Sequence, residues 1–133
     1  MKSYSQSSQD LFALEVCKTK SYIEIGGRKP IKFNNTYLLE KNNFLGFSLE
    51  ISNKFAPVWN SSERKNKCYF EDALTFDYKS AIQKANMDMH IGYLSCDIEP
   101  AANTFKALQR VIAQGVTFDC ITFEHDEYQE GSK

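Results

Sequence analysis

Two adjacent glycines and a spaced row of acids are the residues of this chain best suited to chemistry. Gly26 and Gly27 sit in the run Y-I-E-I-G-G-R-K-P, residues 22–30. Without a Cβ, the main chain there can take otherwise forbidden angles and lie directly against a ligand. Glu24 precedes the pair, and Glu50 closes the next strand-like run, 24 residues after Gly26. A carboxylate at that separation can accept both hydroxyls of a ribose. Asp72, Asp97 and Glu124 close three further apolar runs, and His125 follows the last. Such a rim suits a nucleoside that is not itself strongly anionic. A dinucleotide would want the fingerprint G-x-G-x-x-G to cradle its pyrophosphate, and that is absent, which ranks a nicotinamide-dependent oxidoreductase third. S-adenosylmethionine fits better, because its sulfonium is cationic and needs no phosphate cradle. Methyl transfer asks a protein mainly to align nucleophile, methyl carbon and leaving sulfur. A hydroxyl acceptor also gains from a base, and His125 is the natural candidate.

These residues need a framework, and the chain has the size for one. Its 133 residues suffice for a single domain with one core. Apolar residues make up 42%, charged residues 25%, and the formal net charge is −1, so there is no electrostatic case for nucleic acid. The Ser/Gln-rich start, residues 1–10, has no apolar stretch of a signal peptide, and no run approaches a membrane span. Cys17, Cys68, Cys96 and Cys120 form no C-x-x-C pair. They read as free thiols in a reducing compartment, with the cytoplasm as the default location and no metal site.

In order, Ser7-x-x-Asp10 resembles a capping box opening a helix, whose apolar face holds Leu11, Leu14, Phe12 and Val16. The first strand is Tyr22 to Ile25. After the glycine turn, Asn34 or Asn35 can cap a helix over Thr36 to Lys41, stopped by Asn42-Asn43. A second strand runs from Leu45 to Ile51, and a short helix from Phe55 to Trp59, with Trp59 as its anchor. S-S-E-R-K-N-K, residues 61–67, reads as a solvated loop. Cys68 to Phe70 is a short third strand, and Asp77 can cap a helix over Tyr78 to Lys84. His90 falls in a loop after the packing residues Met87 and Met89. The fourth strand, Ile91 to Ile98, is almost uncharged until Asp97. Asn103 caps the clearest helix, with Phe105, Leu108 and Ile112 on one face and Gly115 as its stop. Phe118 to Phe123 is the last strand.

Strands separated by helices predict an α/β fold, a Rossmann-like doubly wound parallel sheet of about five strands in the order 3-2-1-4-5. In that architecture the carboxyl ends of the strands share one ligand crevice. Glu24, Glu50, Asp72, Asp97 and Glu124 all fall at such ends.

The chain also resembles the FkbM-type family of S-adenosylmethionine-dependent methyltransferases. The likeness rests on S-Q-D-L-F (8–12), Y-I-E-I-G-G-R-K-P (22–30), N-T-Y-L-L-E (35–40), G-F-S-L-E-I (46–51), D-A-L (72–74), Y-L-S-C-D-I-E-P (93–100) and I-T-F-E-H-D-E-Y (121–128). Together these span nearly the whole chain in the family's order. The resemblance implies O-methylation of a small molecule or sugar hydroxyl. It puts Glu24, Gly26 and Gly27 at the methionine end and ribose, with Asn35 and Thr36 supporting the loop. Glu50 with Ile51 would hold the ribose, and Asp72 with Ala73 the adenine. Asp97 and Glu99 would face the reacting methyl or a metal, and Glu124 and His125 the acceptor. Arg28-Lys29 departs from the family's usual small residue or amide followed by an acid. Relatives also continue beyond the fifth strand into a helix and an antiparallel pair. The expectation is therefore an uncovered edge carrying Ile121 and Phe123, which predicts either a short protein that self-associates or a piece of a longer one. The rival reading is a truncated, catalytically silent Rossmann-like module for binding or assembly.

Overall fold

The computed structural model describes residues 2–98 and 100–123. Its strands are β1 (Ser21–Ile25), β2 (Leu45–Leu49), β3 (Lys67–Tyr69), β4 (His90–Cys96) and β5 (Thr117–Phe123). Its helices are α1 (Gln9–Val16), α2 (Tyr37–Lys41), α3 (Ala56–Asn60, led in by a 3-10 turn), α4 (Tyr78–Lys84) and α5 (Ala101–Ala113). Every residue of β1 is buried, which is why S-Y-I-E-I lacks a polar alternation. It lies centrally because both faces of the sheet are covered there.

All four strand pairings are parallel, and the order is β3-β2-β1-β4-β5. This is the doubly wound α/β arrangement expected from the sequence. The chain moves outward from β1 to β3, then crosses back to β4 on the other side of β1. That reversal makes the gap beyond β1 and β4 a natural ligand position.

The two faces carry different cores. On one, Ile23, Ile25, Phe47, Leu49, Leu94 and Cys96 meet Tyr78, Ala81 and Ile82 of α4 and Ala107 and Val111 of α5. On the other, Tyr22 and Tyr93 pack with Ala13 of α1, Leu39 of α2 and Phe44. Met87 and Met89 pack against the first of these cores, as expected.

Several local expectations change. In α5 the inward face is Thr104, Ala107 and Val111, while Phe105 and Ile112 are more than half exposed. The small residues face inward because the helix lies close over the sheet, and only Leu108 of the predicted face packs there. The helix also starts at Ala101, so Asn103 lies inside its first turn and is not its cap. In α1 the buried residues are Asp10 and Ala13, and Phe12 and Val16 are exposed. The expected capping box does not form. Asp10 instead accepts from Ser3 Oγ at 2.5 Å and from the Tyr4 and Ser5 N–H groups at 2.6 and 3.2 Å. One cap matches, Asp77 Oδ1 accepting from Ser80 N–H. In α2 the N-cap position is Thr36, and Asn34, two residues before it, accepts through Oδ1 from the Thr36 and Tyr37 N–H groups. Among the described residues, no helix is long and apolar enough to cross a membrane.

His90 opens β4 and is not a loop residue. Its Nε2 meets Asp119 Oδ1 and its Nδ1 meets Thr117 Oγ1, both at 2.7 Å. Asp119 Oδ2 accepts from the Lys18 and Thr19 N–H groups at 3.1 and 2.8 Å, tying the approach to β1 onto β5. His90 first, then the Thr19 N–H, hold the Asp119 carboxyl down at about 2. A carboxyl lowered in the fold stabilises it above the unfolded value, and that contribution vanishes as pH falls through the folded value. Asp119→Asn should therefore lower the melting temperature near neutral pH, with the gap closing between about pH 4 and about pH 2. Melting curves that keep a constant gap across that window would show that the charge is not what matters.

Candidate ligand-binding site

The turn after β1 is built by three strand ends at once. The N–H groups of Gly26 and Gly27 both donate to Leu49 O at the end of β2, at 2.8 and 2.9 Å. Asp97 N–H, just past β4, donates to Ile25 O at 2.9 Å. Gly26 has φ +86°, and a Cβ on it would run into the Asp97 carbonyl oxygen. Only glycine can therefore let β1 and β4 approach this closely. Glu50 fixes the far side of the turn. Its Oε1 accepts from Arg28 N–H and its Oε2 from Ser52 N–H, each at 2.9 Å. Trp59, buried on α3, donates from Nε1 to Arg28 O at 2.6 Å, so both sides of that residue's backbone are held.

Three cavities meet at Gly26. One, of about 130 Å³, lies towards β2 and β3 and is lined in part by Glu50, Ile51, Asp72, Ala73 and Asn103. A second, of about 250 Å³, lies between Glu50, Arg28 and Asp97. The third, of about 220 Å³, is lined by Glu24, Gly27, Lys29, Phe33, Asn35 and Asp97 among others. Each alone is smaller than the roughly 300–1,000 Å³ of sites for drug-sized ligands. A ligand of nucleoside size or larger must therefore run across Gly26 from one cavity into the next.

The acids of this region differ in what they have left to give. Glu24 is buried, and its Oε1 accepts from Ser48 Oγ at 2.7 Å, Thr36 Oγ1 at 2.9 Å and Asn34 Nδ2 at 3.1 Å. Burial pushes its carboxyl up, and the Arg64 guanidinium and these donors offset only part of the rise. Arg64 is the unexpected member. The 61–67 stretch read as a solvated loop, yet the Arg64 side chain is 1% exposed. It pairs with Glu40 at 2.7 Å, and donates to Pro30 O at 2.6 Å, Tyr22 Oη at 3.0 Å and Thr36 Oγ1 at 3.2 Å. Burial works against its charge, but Tyr22, Glu24 and Glu40 outweigh burial and hold the guanidinium above its ordinary value.

The predicted residues thus divide. Gly26, Gly27, Glu50, Ile51, Asp72, Ala73, Asn35 and Asp97 all line one or more of the three cavities. Asp72 is exposed and its Oδ1 accepts from Leu74 N–H at 2.9 Å, shaping the loop after β3. Asn35 donates to Ser95 Oγ at 2.9 Å. Thr36 lines none of these three cavities and is fully buried in the Glu24 network, so its place is structural. Glu24 reaches the third cavity while serving that network. Glu99, Glu124 and His125 lie outside the described residues. Sequence reasoning missed Ser48 and Arg64 and the contact of Asn34 with Glu24, and also Phe33, Phe55 and Lys32 in the lining of the third cavity. Among the described residues, no group of three or more potential ligands is placed to hold a metal.

No family model matches the chain, and no curated protein matches it.

Removing one partner of a buried charged pair leaves the other uncompensated, at a cost of about 3–5 kcal/mol. Arg64→Ala should show a loss of that size in urea unfolding. Glu24→Gln should cost less, because the amide oxygen still accepts from Ser48 and Thr36 while Arg64 keeps Glu40. An Arg64→Ala chain as stable as the original would remove Arg64 from the centre of this network.

Proposed function

We propose that this domain binds S-adenosylmethionine along the crevice through Gly26 and transfers its methyl group to the hydroxyl of a small molecule or sugar, as in the FkbM-type methyltransferases that its sequence resembles. The observation that carries this reading is the pairing of Glu50 with a cavity that reaches Asp72 and Ala73. Glu50 is held by two backbone N–H groups, and each carboxylate oxygen has a second lone pair for a ribose hydroxyl. The ribose would lie against Glu50, with the adenine towards Ala73 and Asp72. The methionine end would pass Gly26 into the cavity containing Asp97. There Asp97 suits an ammonium group, while the exposed Arg28 and Lys29 at the rim suit a carboxylate. This disposition separates the two cations from the sulfonium by aiming them at the opposite charge. The four unbridged thiols suit a cytoplasmic setting.

A second reading is a catalytically silent module that uses the same fold for binding or assembly. It is favoured by the apolar residues on β5, the end strand of the sheet, where Ile121 is 37% and Phe123 58% exposed. A homo-oligomer formed along that strand would cover them.

A thermal-shift titration with S-adenosylmethionine, its demethylated product and NAD separates the readings. The first two should raise the melting temperature and NAD should not. Asp72→Asn, which keeps the oxygen that accepts from Leu74, should leave the fold intact and weaken the shift by several-fold. Glu50→Ala should weaken binding at least tenfold, about 1.4 kcal/mol. No shift with either sulfur-bearing nucleoside would defeat the methyltransferase reading. Light scattering that gives a dimer, dissociated by Phe123→Glu, would then favour the assembly module.

A further inference from the structure

Well away from the crevice, two thiols from distant parts of the chain are in contact. Cys17 closes the C-terminus of α1, its N–H donating to Ala13 O at 3.0 Å. Cys120 lies in β5, opposite Tyr93 of β4. The two are 103 residues apart in sequence, yet their sulfurs are 2.9 Å apart. A bonded pair sits at about 2.05 Å, so less than about 1 Å of movement separates contact from a covalent bridge. Cys17 Sγ also donates to Gly92 O at 3.2 Å, which fixes its orientation beside β4. The other thiols are disposed differently. Cys96 Sγ donates to Thr104 O at 3.6 Å, and Cys68 is half-buried beside β2. Among the described residues, no second pair of sulfurs is in contact.

We propose that Cys17 and Cys120 form a reversible disulfide that fastens α1 to the end strand of the sheet. The oxidant is of the small-molecule disulfide class. One cysteine, as thiolate, attacks a sulfur of the reagent and releases one thiol, leaving a mixed disulfide on the protein. The second cysteine attacks the protein sulfur of that mixed disulfide and releases the other half. Two electrons pass from the cysteines to the reagent, and the two protons end on the released thiols. Burial pushes both cysteines up, aided by the neighbouring Asp119 carboxylate, so under reducing conditions the pair rests as two thiols. A bridge closing so long a loop restricts the unfolded chain strongly, which stabilises the oxidised fold.

The position of the clasp gives it a consequence at the crevice. The segment leading into α1 is held to the buried Asp10 by Ser3, Tyr4 and Ser5. Gln6, in the same segment, lines the cavity that contains Gly27 and Asp97. Pinning the far end of α1 therefore steadies the helix whose Asp10 holds the Gln6 segment at that cavity.

The test uses the full chain, first reduced and then equilibrated with excess oxidised glutathione. Peptide mapping without reductant should find Cys17 joined to Cys120 within one chain, reversed by dithiothreitol. The oxidised chain should melt several degrees above the reduced one. Cys17→Ser and Cys120→Ser should each abolish that gain, whereas Cys68→Ser should retain it. Oxidation that yields only glutathione adducts, bridges through Cys68 or Cys96, links between chains, or a bridged form no more stable than the reduced one would overturn the proposal.

Discussion

A carboxylate buried in the central strand governs how the crevice side of this domain is built. Glu24 sits in β1, where every residue is buried. Taking such a group from water costs several kcal/mol unless donors and a counter-charge replace the lost hydration. The fold supplies them from three separate segments. Asn34 and Thr36 come from the loop after the glycine turn, Ser48 from β2, and Arg64 from the stretch before β3. Each segment is drawn onto the same face of the sheet. The 28–36 loop cannot swing out without stripping Glu24 of two donors. The 61–66 stretch cannot do so without leaving both Glu24 and Glu40 short of a cation.

From that constraint the cavity follows. With Asn34 anchored to Glu24, its side chain also donates to the Gly27 and Lys29 carbonyls, so the turn is tied from beneath. From above, Glu50 takes the Arg28 N–H and Trp59 takes the Arg28 carbonyl. Arg64 lies under the Trp59 ring, with its guanidinium carbon 4.7 Å from the ring centre, which links the buried network to the outer clamp. Two carboxylates therefore serve one turn from opposite sides. Because the turn's own N–H groups go to Leu49 O, its exposed surface is shaped by the absence of a side chain at Gly26. A flat, fixed stretch of backbone between three cavities is what a long, thin ligand can lie across.

The strand order and the five strands were legible because short apolar runs alternated with helical patterns and ended in acids. A parallel sheet buried on both faces leaves that signature even when alternation is missing. The helix faces were less legible. In α5 the large residues Phe105 and Ile112 outweighed Thr104, Ala107 and Val111 in a reading by size, yet the small residues face the sheet. Hydrophobicity by itself does not report how closely a helix approaches. Arg64 was the larger miss, for a different reason. Its neighbours Glu63, Lys65 and Lys67 are exposed, and its compensating acids lie 24 and 40 residues earlier in the chain. The only local sign was indirect: an acid inside the apolar run of β1 must find a cation somewhere.

Glu24 and Glu50 show why residue type and strand-end position underdetermine a role. Both were read as ligand-binding acids, and both are buried at the same end of adjacent strands. Glu24 points into the sheet face covered by α2, where hydroxyls, an amide and a guanidinium converge on it. Glu50 stands one residue past β2, where the chain is already turning and its partners are two backbone N–H groups. Backbone donors orient a carboxylate without supplying a counter-charge, and they leave lone pairs directed outward. Of two similar acids, the one held by main chain at the cavity is therefore suited to a ligand's hydroxyls, and the one held by side chains secures the floor beneath it.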